Sequence, residues 1–333
     1  MTPPDAAHDP IVARTALAHG TIIPVLGIPV SFETSDPQVL GIIEEAFGAW
    51  RILDQVPALV ADAHVTFRIW IEEGDEAGPR SAEIVRYQPD PDRVVLRTRA
   101  SVVIADAGRG DAAAWLTSAL LADRPRVRHH VLEAATLALL DGFDRQRIPA
   151  AAIARDRTAL LLAGPAGSGK STLAYLAGTH GYRVLADDAV YIQLRPQLRV
   201  WGMPGHIHLS PGARRHFPEL DDDTAEVLSG GVQRLVVSAK ALRALPELPL
   251  APSAGVCVLA PGGAGPTLEV VPGEAMEAEL SRAVADGANT LGAAASEAVR
   301  ALSRYGGWRL DPGADPHAVL PLIAGMFEAM DAD

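Results

Sequence analysis

Cysteine is almost absent from this 333-residue chain, which carries only Cys257 and therefore cannot form an internal disulfide bond. Such scarcity is typical of proteins in reducing compartments. Cys257 lies in an apolar run, where a thiol usually packs as a small hydrophobic side chain. The N-terminal sequence also lacks the basic start and apolar run of a signal peptide, and no stretch is apolar over the thickness of a bilayer. We therefore expect a cytoplasmic protein that does not bind membranes.

Positive charge is scarce as well, because 29 Lys and Arg residues stand against 41 Asp and Glu residues, for a formal net charge of −12. This balance disfavours nucleic acid and an anionic membrane surface as partners, since both attract clusters of Lys and Arg. Hydrophobic residues, by contrast, make up 48% of the chain and charged residues 21%, which allows a sizeable core. The length favours two domains.

The first part of the chain shows patterns of secondary structure and no recognisable chemistry. Asp36 and Pro37 have the residue types of a helix start, and apolar residues at helical spacing come after them. The segment Val65–Ile69 alternates in polarity as a half-buried antiparallel strand does. We also expect a helix over Asp111–Ala122. Residues 1–145 are therefore predicted to form an α/β domain that contains a small antiparallel sheet.

The most informative stretch is Gly164–Ser171, which matches the phosphate-binding pattern G-x-x-x-x-G-K-S/T at every fixed position. An apolar run, Thr158–Ala163, precedes it as a strand would, and an amphipathic helix candidate, Ser171–Gly178, comes after it. Glycines let backbone N–H groups curl around a polyphosphate, and the N-terminus of the new helix adds partial positive charge. The pattern therefore predicts a nucleotide site formed by Gly164, Pro165, Ala166, Gly167, Ser168, Gly169, Lys170, Ser171 and Thr172.

Two acids stand shortly after the loop. Asp187 lies 17 residues after Lys170, at the end of an apolar strand candidate, and Asp188 comes next. A carboxylate at such a strand end can hold Mg²⁺, and a second one can accept the proton of an attacking hydroxyl. In the loop itself, Lys170 is predicted to reach the β- and γ-phosphates and Ser171 to ligate Mg²⁺. ATP and Mg²⁺ are therefore the predicted cofactors.

The short spacing between the loop and the acids narrows the class of enzyme. Motor and transporter ATPases usually place their acidic strand much further along the chain. Small-molecule kinases of the gluconate or shikimate type place acids this close, and so does the group of HPr kinase/phosphorylase and phosphoenolpyruvate carboxykinase. In the small-molecule kinases the acids open a helix, whereas Ala189–Leu194 is β-branched and aromatic and favours a strand.

Around these motifs the chain resembles the C-terminal kinase domain of HPr kinase/phosphorylase. The similar elements, all within residues 148–205, are the strand hairpin before Gly164–Ser171, the run Gly181–Val190 and the run Gly202–Pro204. The resemblance implies that residues 146–333 form a P-loop kinase domain of the HPr kinase/phosphoenolpyruvate carboxykinase type. It implies an ATP- and Mg²⁺-dependent kinase that phosphorylates a serine or threonine hydroxyl of a protein or peptide. It also raises the expectation of a homo-oligomer.

Three departures from the family pattern refine this interpretation. No histidine stands near Ile148–Ala150, where the family has one, and Thr172 replaces an acid of the family. The family's acidic–Arg–Gly signature is not recognisable either, since that region holds His206, His208 and Arg214–Arg215. The differences favour a kinase without the family's reverse, phosphorylase reaction. They fit a divergent member, akin to the enzymes that modify serine in lasso-peptide precursors.

These motifs assign a role to each candidate residue. Lys170 is predicted to hold the triphosphate, with Ser171 and Asp187 positioning Mg²⁺. Asp188 is predicted to orient or deprotonate the acceptor hydroxyl, although the two aspartates are interchangeable in this scheme. Further candidates for contact with the phosphate or the acceptor are His206, Arg214 and Arg215.

Two alternative functions stay open at this point. A small-molecule hydroxyl kinase would have the aspartate pair at the start of a substrate-binding helix, so a strand directly after Asp188 would count against it. A non-catalytic regulatory protein would bind ATP and signal to a partner through the N-terminal domain. Such a protein would bind nucleotide normally after Asp188→Asn, and no phosphoryl acceptor would be found for it.

Overall fold

The computed structural model describes residues 17–75, 84–90, 92–203, 205–220, 225–227, 233–244, 247–285 and 292–332. The chain divides into two compact units, with the boundary between Phe143 and Asp144. Each unit combines helices with its own strands, so the mixed α/β class expected from the sequence is confirmed.

Among its described residues, the first unit contains a seven-stranded sheet. The strands are β1 (His19–Val25), β2 (Ile28–Thr34), β3 (Val65–Glu72), β4 (Val85–Asp90), β5 (Arg93–Arg97), β6 (Val102–Asp106) and β7 (Asp111–Thr117). Their order across the sheet is β1-β2-β3-β7-β6-β5-β4. Alternate residues of β2 and β3 are buried, which gives the sheet one face that packs on the core.

Helical segments complete the first unit. They are α1 (Gln38–Phe47), α2 (Ser118–Leu121), α3 (Arg124–Arg126), a π-helical segment (Val127–Glu133), α4 (Ala134–Leu140) and 3-10 turns at Gly48–Gln55, Pro57–Leu59 and Asp141–Phe143. As predicted, α1 begins directly after Asp36 and Pro37, and Asp36 Oδ1 accepts a hydrogen bond from the Gln38 amide at 2.8 Å. Its buried side chains recur at helical spacing.

The sheet of the first unit differs from the prediction in size and in strand direction. β3 pairs in parallel with both β2 and β7, and the remaining pairs are antiparallel. The expectation of a small antiparallel sheet was wrong because alternation shows which face of a strand is buried and not which way its neighbours run. The first part of the helix predicted over Asp111–Ala122 was also wrong, since Asp111–Thr117 is β7. Its alanines favour a helix, but burial against β3 overrides that weak propensity.

The described residues of the second unit form sheets of six, four and three strands. The strands are β8 (Gln146–Ile148), β9 (Ala150–Arg155), β10 (Thr158–Ala163), β11 (Arg183–Ala186), β12 (Val190–Gln193), β13 (Arg199–Trp201), β14 (His206–Leu209), β15 (Ala225–Val227), β16 (Gln233–Ser238), β17 (Leu250–Ala251), β18 (Ser253–Leu259), β19 (Thr267–Val271) and β20 (Gly307–Asp311). The strand orders are β11-β9-β10-β18-β20-β19, β17-β13-β12-β8 and β14-β16-β15.

The helices of the second unit flank these sheets. They are α5 (Lys170–Thr179), α6 (Gly273–Ala285), α7 (Ala293–Ser303), α8 (Leu320–Ala332) and 3-10 turns at Pro211–Arg215 and Pro316–Val319. No helix in the described part of either unit is long and apolar enough to cross a membrane.

Four strands of the six-stranded sheet run in the same direction. β9 and β10 are buried along almost their whole length, and they form the predicted hairpin, with Asp156 in its turn at a φ of 54°. β10 pairs in parallel with β18, and β18 pairs in parallel with β20. β11 is antiparallel to β9 and therefore runs in the direction of β10. The carboxyl ends of β10, β11, β18 and β20 consequently lie at one edge of the sheet.

Helices cover both faces of this sheet. On one face α5 and α8 pack against alternate side chains of the central strands, such as Leu160 and Leu162. On the other face α6 and α7 pack against Ala159 and Leu161. Cys257 is fully buried on the α5 side, and burial raises the pKa of its thiol. Its role is therefore packing, because a reactive thiol needs exposure and a lowered pKa.

Gly202 provides a test of the packing behind β11, the strand that leads to the two aspartates. A methyl group at Gly202 would overlap the backbone carbonyl of Leu185. We expect Gly202→Ala to lower the free energy of unfolding by about 1–3 kcal/mol, the usual cost of overpacking a core. Urea unfolding measures this, with Gly205→Ala as the matched control, since a methyl group there would meet no described atom within 4 Å. Equal stability of the two variants would contradict the prediction.

Candidate functional site

A glycine-rich loop joins β10 to α5 at the carboxyl edge of the six-stranded sheet. Gly167 and Gly169 adopt φ angles of 81° and 100°, in the left-handed region that favours glycine. α5 begins at Lys170, directly after this loop. The strand, loop and helix therefore succeed one another in the order that the motif predicts. The amide groups of the first helical turn have no intrahelical acceptor and can bind an anion.

Ser168 supplies an independent sign that this loop surrounds a ligand. Its side chain is only 3% exposed, and its Oγ has no hydrogen-bond partner among the described residues. Buried hydroxyl groups are rarely left in this state, and an oxygen of a bound phosphate would satisfy it. Gly164 lies directly against the hydroxyl, since a methyl group at Gly164 would come within 2.8 Å of Ser168 Oγ. The residues present thus fit a polyphosphate.

Lys170 folds back over the loop. Its Nζ donates hydrogen bonds to the backbone carbonyls of Gly164 at 2.7 Å and Pro165 at 2.9 Å. Burial lowers the pKa of Lys170 below its ordinary value, and the nearby Asp188 carboxylate opposes that shift. A partly desolvated ammonium group held above the loop amides is well placed to bind an anion there.

Asp187 connects the end of β11 to the start of α5 and to β14. The Ser171 hydroxyl donates to the Asp187 backbone carbonyl at 3.4 Å. Asp187 as a whole is only 8% exposed, and its carboxylate Oδ2 accepts from the His208 amide at 2.6 Å and lies 3.1 Å from His208 Nδ1. These contacts hold the Asp187 carboxylate against His208, while the backbone carbonyl of the same residue meets the Ser171 hydroxyl. A carboxylate and a hydroxyl are both hard oxygen ligands of the kind that Mg²⁺ prefers.

Asp188 lies next to this buried group but points outward. Its side chain is 80% exposed, and its Oδ2 forms an ion pair with the Arg147 guanidinium of β8 at 3.2 Å. Its carboxylate also acts electrostatically on Lys170. Asp188 is therefore flanked by two cations and is accessible to an incoming molecule, whereas Asp187 is largely buried.

Arg214 and Arg215, two further candidates from the sequence, form hydrogen bonds with nearby residues of the chain. Arg214 Nε donates to the Leu220 carbonyl at 3.2 Å, and Arg215 Nε donates to His216 Nε2 at 2.8 Å. His206 shares the half-buried face of β14 with His208, but the contact with Asp187 belongs to His208. In the described part of the chain, no group of three or more His, Cys, Asp or Glu side chains gathers as a metal site.

Two residues of the site were missed by the sequence-based assignment of roles. His208 had a signal, because it stands two positions from His206 and so shares its strand face. Arg147 had none, since only the pairing of β8 with β12, which sets Arg147 opposite Tyr191, brings it to the aspartate pair. Contacts across strands depend on register, which a single segment of sequence does not reveal.

Comparison with known proteins adds a partial similarity to solved structures. No protein-family model matches the chain, and no curated protein matches it. Among solved structures, the HPr(Ser) kinase/phosphatase from Coxiella burnetii is similar at 16% sequence identity, over 38% of this chain and 77% of that one, with a TM-score of 0.25. This TM-score is too low to establish a shared fold, so the site is interpreted from its own residues.

The contact between His208 and Asp187 can be measured through stability. His208→Ala removes a donor from a buried carboxylate, and we expect it to lower the free energy of unfolding by about 1–3 kcal/mol. The loss should be much smaller in an Asp187→Ala background, where the ring has no carboxylate to bind. A double-mutant cycle by urea unfolding should therefore give a coupling of about 1 kcal/mol or more. Additive effects of the two substitutions would contradict the contact.

Proposed function

We propose that this protein is an ATP- and Mg²⁺-dependent kinase that transfers the γ-phosphoryl group to a serine or threonine hydroxyl of a protein or peptide. The observation that carries the proposal is the meeting, at one sheet edge, of the glycine loop, the buried Asp187 and the exposed Asp188. The sequence resemblance to the kinase domain of HPr kinase/phosphorylase supports the same function. One buried and one exposed carboxylate suit two different roles in phosphoryl transfer, namely metal binding and contact with the acceptor hydroxyl.

The loop and the start of α5 form the binding part of the site. Loop amides and the Ser168 hydroxyl would donate hydrogen bonds to phosphate oxygens, and Lys170 would exchange its two carbonyl contacts for the phosphates. Ser171 and Asp187 would hold Mg²⁺, which supplies charge neutralisation on the phosphate oxygens when it is bound. His208 keeps the Asp187 carboxylate in place, so the ligand geometry does not depend on a mobile side chain.

Asp188 would act on the acceptor. As the hydroxyl oxygen of the acceptor forms its bond to the γ-phosphorus, the bond from that phosphorus to the β,γ-bridging oxygen would break and ADP would leave with the electron pair, while the Asp188 carboxylate would take the hydroxyl proton. Its exposure allows a peptide side chain to approach it, and the Arg147 guanidinium forms an ion pair with it. Because phosphoryl transfer asks little covalent chemistry of the protein, such positioning should supply most of the rate.

Arg147 also bears on the direction of the reaction. The family to which the sequence is similar has a histidine on the hairpin before the loop, and here β8 of that region presents Arg147 to Asp188. A guanidinium group stays protonated throughout the physiological range and cannot pass a proton to or from a neighbour. This supports a kinase that lacks the reverse, phosphorylase reaction.

The segment after Asp188 distinguishes the proposal from a small-molecule kinase. Val190–Gln193 is a buried strand, β12, that pairs with β8 and β13. The aspartates therefore lead into a strand, which counts against a small-molecule kinase, for which a substrate-binding helix was expected at this point.

The expected homo-oligomer and the cytoplasmic location stay predictions.

Phosphoryl transfer itself is the direct test. The purified protein is incubated with ATP, Mg²⁺ and peptides that each contain one serine or threonine, including peptides encoded beside the gene. Intact-mass analysis should show the addition of one phosphate, and matched peptides with alanine at that position should gain none. Transfer to free metabolite hydroxyls alone would favour a small-molecule kinase. ATP binding with no transfer to any acceptor would favour the regulatory protein.

Lys170 should be indispensable for binding the triphosphate. Loss of a charged hydrogen bond costs about 1.5–3 kcal/mol, so Lys170→Ala should weaken ATP binding at least about tenfold and reduce transfer below detection. Calorimetric titration and the mass assay measure the two effects. The chain has only one other lysine, Lys240, which is exposed, so Lys240→Ala is the matched control. Normal activity of Lys170→Ala would remove the loop from the mechanism.

Asp188 should affect transfer far more than binding. We expect Asp188→Asn to lower kcat by about 10²–10⁴-fold, as for loss of a general base, while the Kd for ATP changes by less than about threefold. Steady-state kinetics and calorimetry separate the two quantities. Asp156→Asn, in the exposed hairpin turn between β9 and β10, is the matched control. Equal losses in transfer and in ATP affinity would instead place Asp188 among the metal ligands.

A further inference from the structure

The position of Asp188 dictates which way a bound nucleotide extends. β11, which leads to the aspartates, lies on one side of β10, whereas β18 and β20 lie on the other. The phosphoryl group to be transferred must approach Asp188, so the rest of the donor extends away from β11. It therefore runs over the carboxyl ends of β18 and β20, at the edge where ligands of such sheets bind.

The loop of residues 260–266 covers this path. It connects β18 to β19 and crosses the end of β20, which lies between them in the sheet. The glycine loop is its direct neighbour, because a methyl group at Gly164 would lie 3.0 Å from the carbonyl of Leu259, the last residue of β18. The Ala260 amide then donates to the Leu310 carbonyl at 2.9 Å, which fixes the loop to β20.

A carboxylate, that of Asp311, stands at the end of β20 and contacts this loop. Asp311 Oδ2 accepts a hydrogen bond from the Gly263 amide, and Oδ1 accepts one from the Gly313 amide at 2.9 Å. Backbone hydrogen bonds from the amides of Gly313, Gly263 and Gly262, with Gly313 contributing most, lower the pKa of Asp311 below its ordinary value. An ionised carboxylate has about four acceptor positions, so Asp311 can accept a further hydrogen bond after binding these three amides.

The distance and the surroundings suit the sugar of a nucleotide. Two strand spacings separate β20 from β10, or about 10 Å. A nucleoside triphosphate with its β-phosphate in the glycine loop spans such a distance to its ribose. A methyl group added at Gly262 would meet no described atom within 4 Å, so this part of the loop is uncovered. A carboxylate repels phosphate but accepts hydrogen bonds from vicinal hydroxyl groups, as acidic residues do in dinucleotide sites.

We propose that Asp311 and the loop of residues 260–266 form a ribose-binding subsite that makes the protein specific for a nucleoside triphosphate over inorganic polyphosphate. The inference rests on the proposed function. A ribose hydroxyl donates to the Asp311 carboxylate, while Gly262 leaves space for the sugar above the loop.

Binding of three ligands tests the subsite. Calorimetric titrations in Mg²⁺ compare ATP, 2′,3′-dideoxy-ATP and inorganic tripolyphosphate. A hydrogen bond to a charged acceptor is worth about 1.5–3 kcal/mol, so the wild-type protein should bind ATP about tenfold or more tightly than dideoxy-ATP. Asp311→Ala should abolish this preference and leave the affinity for tripolyphosphate unchanged.

Other outcomes overturn the inference in distinguishable ways. If Asp311→Ala weakens all three ligands alike, Asp311 only supports the loop. If the wild-type protein binds tripolyphosphate without preferring ATP or its ribose hydroxyls, the ribose subsite is wrong and the proposed phosphate site stands. If it binds none of the three ligands, the proposed function fails as well.

A second variant avoids the loss of the carboxylate contacts that hold the loop. Gly262→Leu adds bulk in open space and should fold, yet it should weaken ATP about tenfold and spare tripolyphosphate. The same change at exposed Gly325 of α8, which also faces open space, is the control. Unchanged ATP affinity in folded Gly262→Leu places the ribose elsewhere and overturns the proposal.

Discussion

The parallel pairing of β10 with β18, which sets Ala163 beside Val258, is the interaction on which the candidate site depends. Parallel neighbours end at the same edge of a sheet, and they need long crossover connections that place helices on the faces. The glycine loop therefore leaves β10 beside the ends of β18 and β20, with α5 on one face and α6 and α7 on the other. All the residues assigned to the proposed reaction lie at or near this edge.

Local charge at the site runs against the charge of the whole protein. The chain carries a net charge of −12, yet Asp188 is flanked by Lys170 and Arg147, and the loop contributes uncharged amide donors. The Asp187 carboxylate, unlike that of Asp188, is buried. Burial of a carboxylate is costly, and the hydrogen bonds from His208 offset that cost. An acidic protein can thus offer a phosphate site without a basic surface.

Segments with a strong local pattern were predicted well. The hairpin of β9 and β10, the glycine loop and α5 result from an apolar run, a turn and a motif that specifies backbone shape. The first unit was predicted less well. The alanines of β7 favour a helix, so the sequence alone predicts the wrong state there. The parallel pairs of β3 cannot be deduced from the alternation of its residues. β20 went unrecognised, although it positions Asp311.

The sequence by itself determined the chemistry of the loop, the identity of Lys170 and Ser171, and the placement of two acids at the end of a short strand. Each of these depends on residues that are near one another in the chain. Only the tertiary structure decided that Asp187 is buried and Asp188 exposed, that His208 rather than His206 holds the former, and that Arg147 pairs with the latter. Those contacts join distant segments, and they depend on strand register and burial, which the packing of the whole sheet determines.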